Sequence, residues 1–297
     1  MAGRRATPEC PNCSIECQTL VEQSGLVFRY WPLPRRMMKG ALLPGIPRCR
    51  CRQDGPTRRG LVAAGLISFV VPCAARAGQV ARAEMPAAVA GVSIPRTRIA
   101  DRALQFSRSA CPDYLFNHCM RTYLFGATRL RRMGLDYDAE LAFAAAALHD
   151  VGLLPAFSSA QASFEIDGAG EAESIVRAAG ASEPEAQVVW HAIAMHDGKW
   201  ALTSRQGPEA MLVALGAAGD VDGFESGDIE TSQLDEIVQA FPRLQFKRRF
   251  TELLVGHCRR KPLAQRGTWL EGLCRETVPS AWTETIEHDI AKAAFAE

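Results

Sequence analysis

From Ile99 onward apolar residues recur at the three- and four-residue spacing of one helix face, and no stretch sustains the alternation of a half-buried strand. The pattern predicts an all-α fold. Asp113 opens a helix that runs through Leu115, Cys119, Thr122 and Leu130 to a stop at Gly134. Asp138 is a good N-cap with Glu140 in the first turn, and its helix reads LAFAAAAL from Leu141 to Leu148 before ending near Gly152, ahead of Pro155. Further helices are expected at about 168–179, 183–196, 208–218, 231–240, 244–258 and 282–294. A helical bundle of this size buries a substantial core.

Upstream of residue 84 that periodicity fails. Residues 57–83 run Thr57-Arg58-Arg59-Gly60, then an uncharged stretch from Leu61 to Val71, a Pro72 break, and Ala75 and Ala77 flanking Arg76. The order is that of a secretory signal, and the paired arginines resemble the twin-arginine kind. A signal works at an N-terminus, yet 57 residues precede Arg58, and they are rich in Cys, Pro and basic residues with little periodicity. Two readings stay open. In one, residues 1–56 are an extension, translation starts at a non-Met codon near Pro56, and the protein is exported to the periplasm. In the other, a disordered tail precedes an ordinary apolar helix of a cytoplasmic protein. Both give a largely unstructured leader (1–56), a signal-like segment (57–83) and a globular domain (84–297).

Composition sharpens this division. With 47% hydrophobic and 23% charged residues, the chain is neither disordered nor collagen-like nor a coiled coil. No uncharged apolar run reaches the roughly 20 residues of a membrane-spanning helix, so stable membrane insertion is not expected. The net charge of +1 averages two unlike parts: residues 1–60 carry 11 Lys/Arg against 4 Asp/Glu, leaving 23 against 29 for residues 61–297, so +7 faces −6. An acidic domain argues against nucleic acid as a partner. Cys10, Cys13, Cys49 and Cys51 supply four thiols, but the gap of roughly 35 residues between the pairs is long for a zinc finger. Cys111, Cys119, Cys258 and Cys274 lie far apart or within helical patterns and are expected to be mostly free thiols.

The chemistry concentrates at AAAALHDVGLL, where His149 and Asp150 end the most apolar helix. A buried carboxylate without a partner loses several kcal/mol by desolvation. Lys and Arg are missing between Met133 and Val176, so Asp150 needs a metal ion or an arginine distant in sequence. Neighbouring helix positions point about 100° apart, so this pair converges on one ion only where the helix breaks, as it does near Gly152. His118, in LFNHCMR on the preceding helix, and Asp220, in GAAGDVDG at the end of another, extend the set.

The order His, His-Asp, Asp resembles the ligand pattern of the HD metal-dependent hydrolase superfamily, and the chain is most similar to its cyanamide hydratase-like branch. The resemblance runs through NHCMRTYLFG (117–126), DAEL (138–141), ALHDVGL (147–153), FEIDGA (164–169), VVWHAIAMH (188–196), PEAMLV (208–213), FPRLQFK (241–247) and KP (261–262), covering about residues 95–280. It implies an all-α HD-domain bundle with His118, His149, Asp150 and Asp220 holding one divalent metal, Zn²⁺ first, with Fe²⁺ or Mn²⁺ as alternatives. It also implies that Phe164 stands where two-metal members carry a further histidine. The branch usually has an acidic residue at the place of His191 and a threonine at the place of Asp197, so substrate choice differs here.

The expected chemistry is metal-activated attack of water on a small molecule. Asp150 orients the water, and His196 is the candidate proton donor. Arg121, Glu165 and Asp197 are candidate substrate contacts; for Arg121 a structural ion pair competes, and for Glu165 and Asp167 a helix-capping role competes. His191 is expected to pack through a hydrogen bond, and His257 and His288 to be ordinary helix residues. The segment 133–176 holds eight acidic residues and no Lys or Arg, which favours an uncharged or cationic substrate, although Lys199 and Arg205 supply positive charge nearby. The alternatives are a phosphohydrolase acting on nucleotides or phosphate esters, and a metal-binding module without turnover. A homo-oligomer is compatible with either.

Overall fold

The most apolar segment of the sequence is also the centre of the fold. Every residue from Leu141 to Leu148 is buried, as a helix apolar on all sides requires. The structure, a computed structural model, describes residues 85–297 apart from 199, 225–226 and 296–297. The leader 1–56, the signal-like segment 57–83 and Lys199 lie outside the described residues. A short antiparallel hairpin, β1 (Ala88–Val89) and β2 (Val92–Ser93), precedes the helices α1 (Arg98–Ala110), α2 (Asp113–Arg132), α3 (Ala139–Leu148) and α4 (Phe164–Ala178). There follow α5 (Glu183–Ala194), the single turn α6 (Trp200–Thr203), α7 (Pro208–Asp222), α8 (Thr231–Ala240), α9 (Phe246–Arg260), α10 (Glu271–Thr277) and α11 (Ile286–Ala291). Among the described residues the fold is all-α apart from that hairpin, and no helix is long and apolar enough to cross a membrane.

Helix α3 is ringed by α1, α2, α4, α5 and α7. It starts as its sequence predicts: the Asp138 side chain accepts the Leu141 N–H at 3.0 Å. Four glycines set how closely its neighbours approach. A Cβ on Gly126 of α2 would stand 2.1 Å from the Leu212 carbonyl oxygen, and one on Gly216 of α7 would stand 1.9 Å from that of Thr122. The α2 and α7 backbones therefore touch, which brings His118 and Asp220 within reach of each other. In the same way a Cβ on Gly152 would lie 2.0 Å from the Phe164 carbonyl oxygen, and one on Gly168 would lie 3.2 Å from that of His149. The first turn of α4 is thus seated directly on the turn that carries His149 and Asp150.

Several boundaries differ from the sequence expectation. Helix α4 begins at Phe164 rather than near 168, because Gly168 serves a backbone contact inside the helix and does not open it. Helix α5 stops at Ala194, and α7 continues to Asp222, which places Asp220 inside its last turn. Helix α10 and the hairpin carry too few residues to show a period; the hairpin turns on Ala90 and Gly91, both at positive φ (50° and 73°). The thiol expectation is corrected at one pair. Cys258 at the end of α9 and Cys274 in α10 form a disulfide across 16 residues, since the loop through Pro262–Gln265 folds α10 back onto α9. Cys111 and Cys119 are free and buried.

The glycine contacts generate a stability test. Gly216→Ala must push a methyl into backbone and should cost about 1–3 kcal/mol or more, seen as a lower urea midpoint. Gly170→Ala, on the exposed side of α4 where a Cβ meets nothing, should instead stabilise by up to about 1 kcal/mol through helix propensity. Equal responses from the two variants would show that the α2–α7 crossing is not close-packed.

Candidate metal centre

His149 is the last residue with helical backbone angles after α3, and Asp150 follows it at φ −103°, ψ 6°, where the chain turns into the 3₁₀ segment Val151–Leu153. That break lets two adjacent side chains face one point. His149 Nδ1 donates to the Ala146 carbonyl at 2.8 Å, which leaves the lone pair on Nε2. His118 Nδ1 donates to Asp220 Oδ2 at 2.7 Å, which turns its Nε2 the same way. The two Nε2 atoms are 3.3 Å apart, and Asp150 Oδ2 lies 3.4 Å from each. These three donor atoms all lie within 4.8 Å of one another, on residues no more than 2% exposed.

Nothing donates a hydrogen bond to Asp150 Oδ2. A buried carboxylate oxygen and two imidazole nitrogens facing each other with lone pairs need a positive charge between them. Burial, helped by the charges of His196 and His118, pushes His149 down to about 3 even though Asp150 pulls the other way. Burial alone would raise Asp150, but the neighbouring His149 and His118 hold it at about 2. For His118, burial is outweighed by the two carboxylates beside it, Asp150 and Asp220, which keep its pKa above the usual value. The charge the trio requires is therefore either a proton on His118 or a cation on the three lone pairs. Two imidazoles and one carboxylate fit Zn²⁺, Fe²⁺ or Mn²⁺.

Asp220 sits behind His118 and not among the converging atoms. Its Oδ2 also accepts from Arg121 Nη2 at 2.7 Å, and its Oδ1 accepts from Arg121 Nε at 2.8 Å and Arg243 Nη1 at 2.6 Å. Both oxygens are thus engaged, and a role as fourth ligand would require breaking these bonds. Burial opposes the Asp220 charge, but His118 and Arg121 hold its carboxyl well below the usual range. Of the two roles the sequence left open for Arg121, the contacts are those of the ion pair: it is fully buried, grips Asp220 twice and donates to the Phe241 and Pro242 carbonyls. The residues that sequence reasoning left without a role here are Arg243, Phe246 and Phe250. Phe246 stacks on the His118 ring with centroids 4.7 Å apart, and Arg121 and Arg243 lie over Phe246. FPRLQFK contains two of these three residues, but nothing in its spacing assigned them to the site.

His196 lies in the turn after α5, with its ring 5.0 Å from that of His149 and its Nδ1 donating to the Ile193 carbonyl at 2.7 Å. Asp197, the next residue, faces Glu165 from the first turn of α4. Glu165 makes no capping bond and is 1% exposed. Asp167 in that turn is structural, paired with Lys261 and accepting the Ser159 N–H. His191 donates to the Gln187 carbonyl within its own helix, and His288 is exposed. His257 is buried, hydrogen-bonded to Gln265 at 2.8 Å and set edge-on to Phe164.

Residues 115–223 match the HD domain family, and His118, His149, Asp150 and Asp220 all fall inside that span. HD domains are generally metal-dependent hydrolases. No curated protein matches the chain.

Burial, reinforced by Lys261 and Arg260 and opposed by Asp167, pushes His257 from its ordinary 6.5 to about 4. Between those values the unfolded chain takes up a proton that the folded protein refuses, so stability is full above 6.5 and falls as pH drops towards 4. Wild type should therefore lose more melting temperature between about pH 7 and pH 5 than His257→Gln does. Parallel pH profiles would refute the assignment of that acid sensitivity to His257.

Proposed function

We propose that this protein is a metal-dependent hydrolase or hydratase that adds water to a small substrate, using one divalent ion held by His118, His149 and Asp150, in the manner of a cyanamide hydratase. The observation that carries the reading is the buried Asp150 Oδ2, which lacks any hydrogen bond and faces two imidazole nitrogens at 3.4 Å. A bound divalent ion would supply the Lewis acidity that brings the pKa of water towards about 7. Asp220 fixes the His118 ring through Nδ1, and the Ala146 carbonyl does the same for His149, so both Nε2 atoms are oriented in advance. Asp150 orients the attacking water. His196 Nδ1 is engaged with the backbone, which leaves Nε2 to deliver a proton to the atom that gains negative charge; in a nitrile that atom is nitrogen.

Hydration is favoured over phosphoryl transfer because Arg121 and Arg243, on the His118 side of the site, spend their hydrogen bonds on Asp220 and on backbone carbonyls. A phosphate would need such groups free. One ion is favoured over two because Phe164, packed edge-on to His196 and His257, offers no lone pair. Export to an oxidising compartment is part of the proposal, supported by the Cys258–Cys274 disulfide.

The test is metal content and turnover of the full chain. Wild type should hold about one divalent ion per chain and hydrate or hydrolyse a member of a panel of nitriles, amides and phosphate esters. His149→Asn and Asp150→Asn should lose both the metal and at least about 10³-fold in rate, whereas the exposed His288→Asn should change neither. Full metal occupancy in both ligand variants would overturn the reading.

A further inference from the structure

Beyond the residues that match the HD family, helix α9 runs along the metal centre and grips one of its walls. Phe246 and Phe250 near its start lie against the His118 ring. His257 near its end is set edge-on to Phe164, whose own ring is edge-on to His196. The end of the helix then fastens the chain between the HD pair and α4. Arg260 Nη2 donates to the Leu153 carbonyl at 2.9 Å, and Lys261 Nζ donates to the Ala162 carbonyl at 2.8 Å and to the Asp167 carboxylate. Asp167 in turn accepts the Ser159 N–H.

A covalent bond holds that end of α9. Of the seven residues of α10, Cys274 alone is buried, so the helix has no apolar face with which to dock. Its attachment rests on Leu270 just ahead of it and on the bond from Cys274 to Cys258. Within the loop so closed, the fully buried Gln265 donates to His257 Nε2 at 2.8 Å. Without the bond the loop regains its freedom, and Gln265 with it. The three residues that grip the wall, His257, Arg260 and Lys261, flank Cys258 and share its fate. The first part of α9 does not, since Phe246, Phe250 and Leu254 are buried independently of it.

We propose that the Cys258–Cys274 disulfide is a redox-sensitive clamp on the proton-donor side of the site, which rests on the metal-dependent reading above. Oxidised, it seats the end of α9 on segment 153–167 and fixes Phe164 against His196. Reduced, α10 lifts, the grip of His257, Arg260 and Lys261 slackens, and Phe164 and His196 lose their fixed packing. His118 and His149 keep their places, because Asp220 and the Ala146 carbonyl orient them. The reductant is a dithiol: its two S–H groups supply two electrons and two protons to the protein sulfurs, the Cys258–Cys274 bond breaks, and a disulfide forms in the reductant. Both protein sulfurs are buried, so attack follows local opening of α10, which one buried residue does little to resist. Turnover is thereby tied to an oxidising environment while metal binding is not.

Hydrogen exchange of the full chain, read by mass spectrometry, tests this without a substrate. Dithiothreitol should speed exchange at 159–168 at least about tenfold, leave 98–148 and the metal content unchanged, and act reversibly on reoxidation. The double variant Cys258→Ser, Cys274→Ser should exchange fast at 159–168 without reductant and respond no further to it, which separates the clamp from the cysteines of the leader. Lys261→Met should loosen 159–168 with the disulfide intact. On any substrate that the wild type turns over, reduction should lower kcat at least about tenfold with metal retained. Unchanged exchange at 159–168 or an unchanged kcat would overturn the inference. Loss of metal, or of protection throughout the domain, would also overturn it and make the bond a general staple. Should the double variant fail to accumulate, reversible reduction of the wild type decides. The metal-dependent reading is decided separately, by metal loss in the His149 and Asp150 variants.

Discussion

One buried carboxylate governs the geometry of the centre. Asp220 gathers His118 and Arg121 from α2 and Arg243 from the segment before α9, so three parts of the chain meet on two oxygen atoms. Two guanidinium groups more than balance its charge, which keeps it ionised in an apolar surround. Ionised, it accepts from His118 Nδ1 and so fixes which nitrogen that ring presents to Asp150 and His149. The same carboxylate thus decides both how α2 and α7 are cross-braced and which lone pair the site displays.

Asp220 can act this way only because the backbones permit it. Gly126 and Gly216 let α2 and α7 touch, and Gly152 and Gly168 let α4 sit on the turn that ends α3. These contacts are between main-chain atoms, so larger residues have no room to rearrange. The helices that carry His118, the His149–Asp150 pair, Glu165 and Asp220 are therefore held at near-fixed separation, with α3 buried between them. Phe246 and Phe250 close the His118 side and Phe164 closes the His196 side.

What could be read in the sequence follows the range of each interaction. The LAFAAAAL run announced a fully buried helix, and HD at its end announced a charge needing a partner, because both signals are local. The place of Asp220 in a carboxylate–arginine cluster was illegible: Arg121 and Arg243 lie 99 and 23 residues away from it, and nothing in LFNHCMR or FPRLQFK says that their side chains meet. The start of α4 was misread because a glycine that serves a tertiary contact looks like one that marks a boundary. The Cys258–Cys274 bond was missed because it depends on a loop folding back, not on spacing.

The distribution of charge then separates the two sides of the centre. Positive side chains collect on the Asp220 side, where they are consumed by that carboxylate and by carbonyl groups. On the far side Glu165 and Asp197 face each other, and the Glu165 oxygens have no cationic partner among the described residues. The side chains around Asp150 and Glu165 thus offer hydrogen-bond acceptors, whereas the guanidinium groups of Arg121 and Arg243 are already engaged. The buried side chains themselves, by where their charges are spent, set the two sides of the centre apart.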